Sequence, residues 1–442
     1  MPDHAVSDHP RVQAQLDRLA ALSPGADTLG LDRISALLSR LGDPHLLLPP
    51  VFHVAGTNGK GSTCAFLRAS IEAAGLTAHV YTSPHLVRFN ERIRLAGSLI
   101  DDDLLADLLS EVLDRAGGIE PSFFEVTTAA AFLAFSRVRA DACVIEVGLG
   151  GRLDATNVIQ APAACGIAQL GLDHQAFLGD RIEQIAAEKA GIAKAGAPLL
   201  TQHYPARVAE RIGAAAEAAG AKWFPRGSSW DAAADQGALH YQDGGGALDL
   251  PLPRLPGAHQ AANAALAVAM LRHQRVIPVS DSALRAAMGW AEWPARLQRL
   301  GQGSLADRLP AGSELWLDGA HNPAAARVVA DHFRAHVPAG RPFHIIFGLL
   351  ENKDARGVLK PFGNRVATLH AIPVERHASH DPATLAALAR EAGMNAMTHV
   401  DVADAIGFIA RHADRGKPPI VLIVGSLYLA GDVLRQNGQL RA

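Results

Sequence analysis

Short β-branched apolar runs recur along the chain, each followed by a polar or glycine-bearing turn and a stretch with apolar residues at helical spacing. That alternation predicts parallel strands joined by helices. Strands are expected at 51–54, 77–81, 141–148 and 164–170. Helices are expected over 11–24, 28–41, 62–74, 101–115, 124–138 and 181–192. In the first of these, Val12, Leu16, Leu19 and Leu22 fall on one face. From 198 to 250 the pattern is alternately helical and turn-rich, with Asp243 to Gly246 as a tight turn between strands. An Ala-rich helix begins near 255–263, where His259 and Asn263, four apart, share a face. Trp293 to Gln298 reads as a domain linker. Beyond it, strands at 315–317, 342–349, 366–372, 398–402 and 420–424 alternate with helices as a second, smaller parallel α/β domain.

With 442 residues, 49% of them hydrophobic and 19% charged, the chain can build two or three domains around ordinary cores. A formal net charge of −3 leaves no electrostatic footprint for nucleic acid or an anionic membrane. The three cysteines, Cys64, Cys143 and Cys165, have no metal spacing and read as reduced core thiols. The first ten residues carry neither a basic nor an apolar region, so no signal peptide is expected. The longest apolar run, 420–430, is interrupted by Gly425 and Ser426 and is too short to span a bilayer. A cytoplasmic monomer is the expectation.

The chemistry gathers at strand ends. Val51 to Val54 leads into Gly56-Thr57-Asn58-Gly59-Lys60-Gly61-Ser62, and a helix follows. A strand, a glycine turn and a helix start form an anion cradle, because backbone N–H groups close on phosphate oxygens and the helix end adds positive charge. Lys60 can reach β/γ-phosphates and Ser62 can offer a hydroxyl to Mg²⁺. The usual P-loop spacing is not met: Val54 occupies the first glycine position, and Gly61 separates Lys60 from Ser62. The bland alternative is a strand-to-helix turn with a solvated lysine. Ser83 lies just past the strand at 77–81, where open α/β sheets bind ligands. Glu146 interrupts an apolar strand; it is either a magnesium-directed carboxylate or one paired with a core cation. The loop from Gly148 to Asn157 has Leu153 at the third glycine position of a dinucleotide fingerprint, against a nicotinamide site. His174 at a strand end is a candidate metal ligand or an ordinary hydrogen-bonded residue, and spacing alone leaves Lys189 undecided.

Six motifs in order carry a resemblance along most of the chain. They are Leu29 to Ile34, His53 to Ser62, Thr82 to Leu86, Phe89 to Ile93, Glu146 to Asn157, and Asp318 to Asn322. In these the chain resembles the folylpolyglutamate synthase/dihydrofolate synthase group of the Mur-ligase superfamily. The resemblance implies an α/β fold: a large P-loop-like ATPase domain with a mainly parallel central sheet over 1–295, and a smaller Rossmann-like C-terminal α/β domain over 296–442. It implies that Thr57, Asn58, Gly59, Lys60, Gly61 and Ser62 hold the ATP phosphates, with Asn263, Arg296, Asp318 and His321 completing the ATP contacts from an interdomain cleft. Ser62, Ser83 and Glu146 resemble ligands of one Mg²⁺, and Glu146 with His174 ligands near a second. Lys189 matches a lysine that the superfamily carbamylates, which turns a cation into a carboxylate-like anion. Lys60, Glu146, His174 and Lys189 form the implied catalytic set. Arg33, Ser83, Phe124, Arg152, Asp154 and Ala155 match the substrate region, the last two near the pteridine end. Ala295 and Leu297 depart from the family, which more often has Gly and Phe there.

The implied activity is ATP-dependent joining of L-glutamate to dihydropteroate and to reduced folates through an acyl phosphate, with ATP, Mg²⁺ and these small molecules as the only partners. No protein nucleophile is needed, in keeping with the absence of a Ser/His/Asp or Cys/His signature. A monofunctional folylpolyglutamate synthase and another amide ligase of the superfamily remain alternatives. The 89–92 and 153–157 motifs and the lack of a uridine-nucleotide N-terminal domain disfavour a peptidoglycan-precursor ligase. An NTPase switch would need a water-positioning residue and a partner surface, and neither is visible in the sequence.

Overall fold

The computed structural model describes residues 5–22, 29–414 and 416–439. The end of the first expected helix and Thr28, at the start of the second, lie outside that range. The chain divides into two compact units, Met1–Arg254 with His259–Glu292, and Leu255–Ala258 with Trp293–Ala442.

The first unit is built on an eight-stranded sheet. Its strands are β1 (Val51–Ala55), β2 (Ala78–Tyr81), β3 (Ile93–Leu95), β4 (Ser98–Leu99), β5 (Ala142–Glu146), β6 (Ala164–Ile167), β7 (Pro198–Thr201) and β8 (Lys222–Pro225). They run in the order β4-β3-β2-β5-β1-β6-β7-β8, parallel except for the β3 and β4 edge. Every residue of β1, β2, β5 and β6 is buried, as strands covered on both faces require. The helices 101–115, 124–138 and 181–192 expected from the sequence occur as Asp102–Asp114, Phe123–Arg137 and Ile182–Ala190. β1 lies between β5 and β6, so the chain turns to opposite sides of the sheet from its centre. In such sheets the crevice for a ligand opens at the carboxyl ends of the strands.

A three-stranded antiparallel sheet follows: β9 (Trp230–Asp235), β10 (Ala238–Asp243) and β11 (Gly246–Pro251). The turn before Gly246 is the expected one, but the sheet exceeds the helical and turn-rich reading of 198–250. Its inward face alternates strictly, through Trp230 and Ala232, Leu239 and Tyr241, Leu248 and Leu250. Alanines in β9, with their low strand preference, hide that period in the sequence.

The second unit carries a six-stranded sheet of β12 (Gln298–Leu300), β13 (Glu314–Asp318), β14 (Phe343–Phe347), β15 (Thr368–Ala371), β16 (Ala396–Thr398) and β17 (Ile420–Val424). Its order is β12-β13-β17-β14-β15-β16, with only β12 antiparallel. The strand expected at 398–402 ends at Thr398 instead. Asp401 accepts the Asp404 amide at 2.7 Å and starts a helix, Val402–His412.

A row of imidazoles crosses this sheet. His344 Nδ1 lies 3.2 Å from His370 Nε2, His370 Nδ1 lies 3.0 Å from His399 Nε2, and His399 Nδ1 lies 2.9 Å from the Asp404 carboxylate. Burial pulls His344 down to about 4 and His370 to about 3, the latter helped by His344 and His399. Arg411 is the other charge acting on Asp404. Both histidines are neutral in the folded unit, whereas the unfolded chain takes up their protons near the usual value of 6.5. The unfolded state therefore binds more protons as pH falls below 6.5, and stability drops toward pH 4. Thermal melts between these limits should show that loss, and His370→Phe should lessen it; a flat profile contradicts the assignment.

Candidate active site

Four loops at the carboxyl ends of β1, β2, β5 and β6 carry most of the residues singled out in the sequence. After β1 the backbone turns through Gly56 and Gly59, and the helix Lys60–Ala73 begins two residues before the expected start at 62. Gly59 sits at φ +86° in the left-handed region, and a Cβ there would meet Asn263 Oδ1 at 2.3 Å. Asn263 is buried in the helix Ala258–His273 and donates to Gln260 Oε1 at 3.0 Å, so it cannot simply swing aside. Gly59→Ala should cost about 1–2 kcal/mol through backbone strain and this clash, read as a lowered unfolding midpoint. An unchanged midpoint would show that Asn263 does not brace the loop.

The loop is fastened on its other side to the end of β6. The amides of Thr57 and Asn58 donate to Gln169 O at 2.9 and 3.0 Å, and Thr57 Oγ1 pairs with Gly171. Lys60 Nζ lies 3.9 Å from Glu146 Oε1 and 3.5 Å from Thr57 O. Glu146 is thus both a partner of a cation and a buried carboxylate at the end of β5. Its other oxygen accepts the Ser83 amide at 3.4 Å, which joins the β2 loop to the cluster. Ser62 Oγ is buried with no hydrogen-bond partner among the described residues. A hidden hydroxyl and a strand-end carboxylate are both hard-oxygen groups of the kind that suits Mg²⁺. Among the described residues no three His, Cys, Asp or Glu side chains gather as a metal cage.

Lys189, in the last turn of Ile182–Ala190, is buried. Burial and the nearby Lys60 charge lower its amine to about 7, against a weaker pull upward from Asp173 and Asp154. A useful fraction is therefore unprotonated near neutral pH. His174 is solvent-exposed at φ +51°, just before the short helix Gln175–Leu178.

The loop after β5 packs on the end of the Lys189 helix. Arg152 N donates to Glu188 O at 2.8 Å, and a Cβ at Gly151 would meet Glu188 O at 2.7 Å. The exposed Arg152 guanidinium pairs with Glu188 Oε1 at 2.9 Å. Asp154 is buried and accepts from Leu149 N at 2.8 Å and Thr156 N at 3.0 Å; burial raises its carboxyl despite these bonds. Ala155 beside it is buried. Phe124 is half-buried against Gly148 and lies 5.9 Å from the Tyr81 ring. Arg33 pairs at 3.0 Å with Glu125, the residue after Phe124, which also closes the capping box with Ser122.

Arg296, Asp318 and His321 belong to the second unit. Asp318 ends β13 and accepts Leu297 N at 2.7 Å and Ala320 N at 2.8 Å; burial raises its carboxyl against the opposing pull of Arg296. His321 Nδ1 donates to Gly319 O at 2.8 Å. Ala295 and Leu297 adopt φ +54° and +44°, a left-handed turn that glycine would take without strain. This is the stretch where the sequence departs from the resembled pattern.

The sheet order, the glycine loop and the strand-end carboxylate make an anion cradle at the carboxyl edge of an open α/β sheet. Residues 305–427 match the family described as "Mur ligase, glutamate ligase domain". The chain is 33% identical to the dihydrofolate synthase/folylpolyglutamate synthase of Bacillus subtilis over 92% of this chain and 94% of that one. It superposes on E. coli FolC in complex with DHPP and ADP with a TM-score of 0.86 and 31% identity, covering 98% of both chains. A bifunctional folylpolyglutamate synthase/dihydrofolate synthase with Mn, AMPPNP and L-glutamate bound gives 0.83 and 33%, also over 98% of each. The chain belongs to the dihydrofolate synthase/folylpolyglutamate synthase family.

Among the described residues no helix is long and apolar enough to cross a membrane.

Proposed function

We propose that the chain is an ATP-dependent ligase that joins L-glutamate to dihydropteroate and to reduced folates. The observation that carries this reading is the cluster of Lys60, Ser62, Ser83 and Glu146 at the carboxyl ends of β1, β2 and β5, in a chain of this family.

Thr57 to Ser62 hold the ATP phosphates, with Lys60 on the oxygens that gain charge as the γ-phosphoryl group leaves. The substrate carboxylate attacks that phosphorus, ADP departs, and an acyl phosphate forms. The glutamate amine then adds to the acyl carbon, loses its proton and expels phosphate, leaving an amide. Ser62, Ser83 and Glu146 would hold one Mg²⁺, and Glu146 with His174 a second; when bound, the ions would supply charge neutralisation on the phosphoryl oxygens. Asn263, Arg296, Asp318 and His321 complete the ATP contacts. Arg33, Ser83, Phe124, Arg152, Asp154 and Ala155 serve the pterin acid.

The lowered amine of Lys189 supports carbamylation. A neutral amine adds to CO₂ and releases one proton, and the product is an anion rather than a cation facing Lys60. Labelling with ¹³C-bicarbonate should give a carbamate signal that Lys189→Arg abolishes; a wild-type spectrum without it contradicts the modification.

Offering dihydropteroate and tetrahydrofolate separately, each with ATP and glutamate, tests the reading. Product from both is expected. Product from tetrahydrofolate alone would favour a monofunctional folylpolyglutamate synthase, and ATP hydrolysis without amide formation would overturn the ligase reading.

A further inference from the structure

Packing does not explain the histidine in the middle of β1. His53 is fully buried on the central strand, two residues before the strand ends at Ala55. Burial, with a further push from Lys194, pulls it down to about 3, so it is neutral in the folded protein. Its Nδ1 has no hydrogen-bond partner among the described residues. A core that needed only volume would be better served by an apolar side chain, because a hidden unmatched acceptor is a net cost.

What the ring gains is a single bond at Nε2, 2.8 Å from Thr156 Oγ1. Thr156 has one hydroxyl proton, and it goes to Asp154 Oδ1 at 2.5 Å. His53 must therefore donate from Nε2, which fixes its tautomer and leaves Nδ1 as the idle acceptor. The other oxygen of Asp154 takes the Leu149 amide at 2.8 Å. An unbroken chain of hydrogen bonds thus converges on Asp154, from β1 through the Thr156 hydroxyl on one side and from the Leu149 amide, in the turn that follows Glu146, on the other. It joins residues 103 positions apart in sequence at its first step. The phosphate loop at the tip of β1 has a separate fastening, at Gln169, and packs at Gly59 against Asn263.

We propose that His53 and Thr156 are positioning residues that hold Asp154 and the 148–156 loop in register with the central strand. Because the phosphate loop is fastened independently, loss of this line should disturb the acid substrate and spare ATP. The choice of affected substrate rests on the ligase reading above; the coupling of strand to loop does not.

Two measurements on the full-length protein separate these claims. In steady state, His53→Leu and Thr156→Val should each raise KM for dihydropteroate about tenfold, with KM for ATP within about twofold of wild type. His53→Gln, which keeps an N–H near the same place, should recover most of the loss. The double variant should be no worse than the poorer single one, as expected for one shared line. In hydrogen exchange without substrates, peptides covering 148–156 should exchange faster in His53→Leu and Thr156→Val, while peptides covering 57–62 keep their wild-type rate.

Equal increases in both KM values, no increase in either, or failure of the Gln variant to recover would overturn the proposal. So would unchanged exchange in the loop. If the wild type made no amide at all, the function assigned above would fall, and the exchange experiment alone would decide the coupling.

Discussion

Lys60→Ala should lower ATP-dependent ligation by about 10³-fold, the loss typical when one group aimed at developing transition-state charge is removed. The unfolding midpoint should stay close to wild type. Lys60 is half-buried at a helix start, where it attracts Glu146 at 3.9 Å and repels Lys189. Deleting it removes one favourable and one unfavourable interaction, and the backbone bonds of Thr57 and Asn58 to Gln169 do not depend on it. The Lys189 amine should also regain part of its ordinary basicity. Turnover near the wild-type rate would refute the role of the lysine. A collapsed melting transition would recast it as structural.

Glu146→Gln should be comparably damaging, by about 10²- to 10³-fold in kcat, because it deletes the carboxylate assigned to magnesium and preserves the side chain's shape. Glutamine can still accept the Ser83 amide, so the fold should survive. The apparent magnesium requirement should rise with the loss in rate. A variant with an unchanged magnesium dependence would show that Glu146 serves only as the counter-charge of Lys60. That alternative was open from the sequence, and the 3.9 Å ion pair shows that the pairing exists alongside whatever else the carboxylate binds.

These residues were legible because they are local. A buried strand, a glycine turn and a helix start are consecutive in 51–63, and each carries its own signal in composition and period. Glu146 betrayed itself as a charge in an apolar run. Asn263 was visible only as a polar residue on an Ala-rich helix; its packing against Gly59 depends on a fold that brings positions 59 and 263 together. The His53–Thr156–Asp154 line left no trace in the sequence, since a histidine in a buried strand looks like any other core exception. The left-handed turns at Ala295 and Leu297 were equally hidden, because neither residue type announces a positive φ. The chain also enters the second unit briefly at Leu255–Ala258, before the linker read from composition, and returns to the first at His259, which no periodicity could reveal.

Transfer of oxygen from the substrate to phosphate tests the chemistry most directly. Dihydropteroate labelled with ¹⁸O in its carboxylate, turned over with ATP and glutamate, should deliver one labelled oxygen to each inorganic phosphate released, because the carboxylate oxygen becomes the bridge of the acyl phosphate. Unlabelled phosphate, with amide still formed, would contradict activation of the carboxylate by the γ-phosphoryl group of ATP.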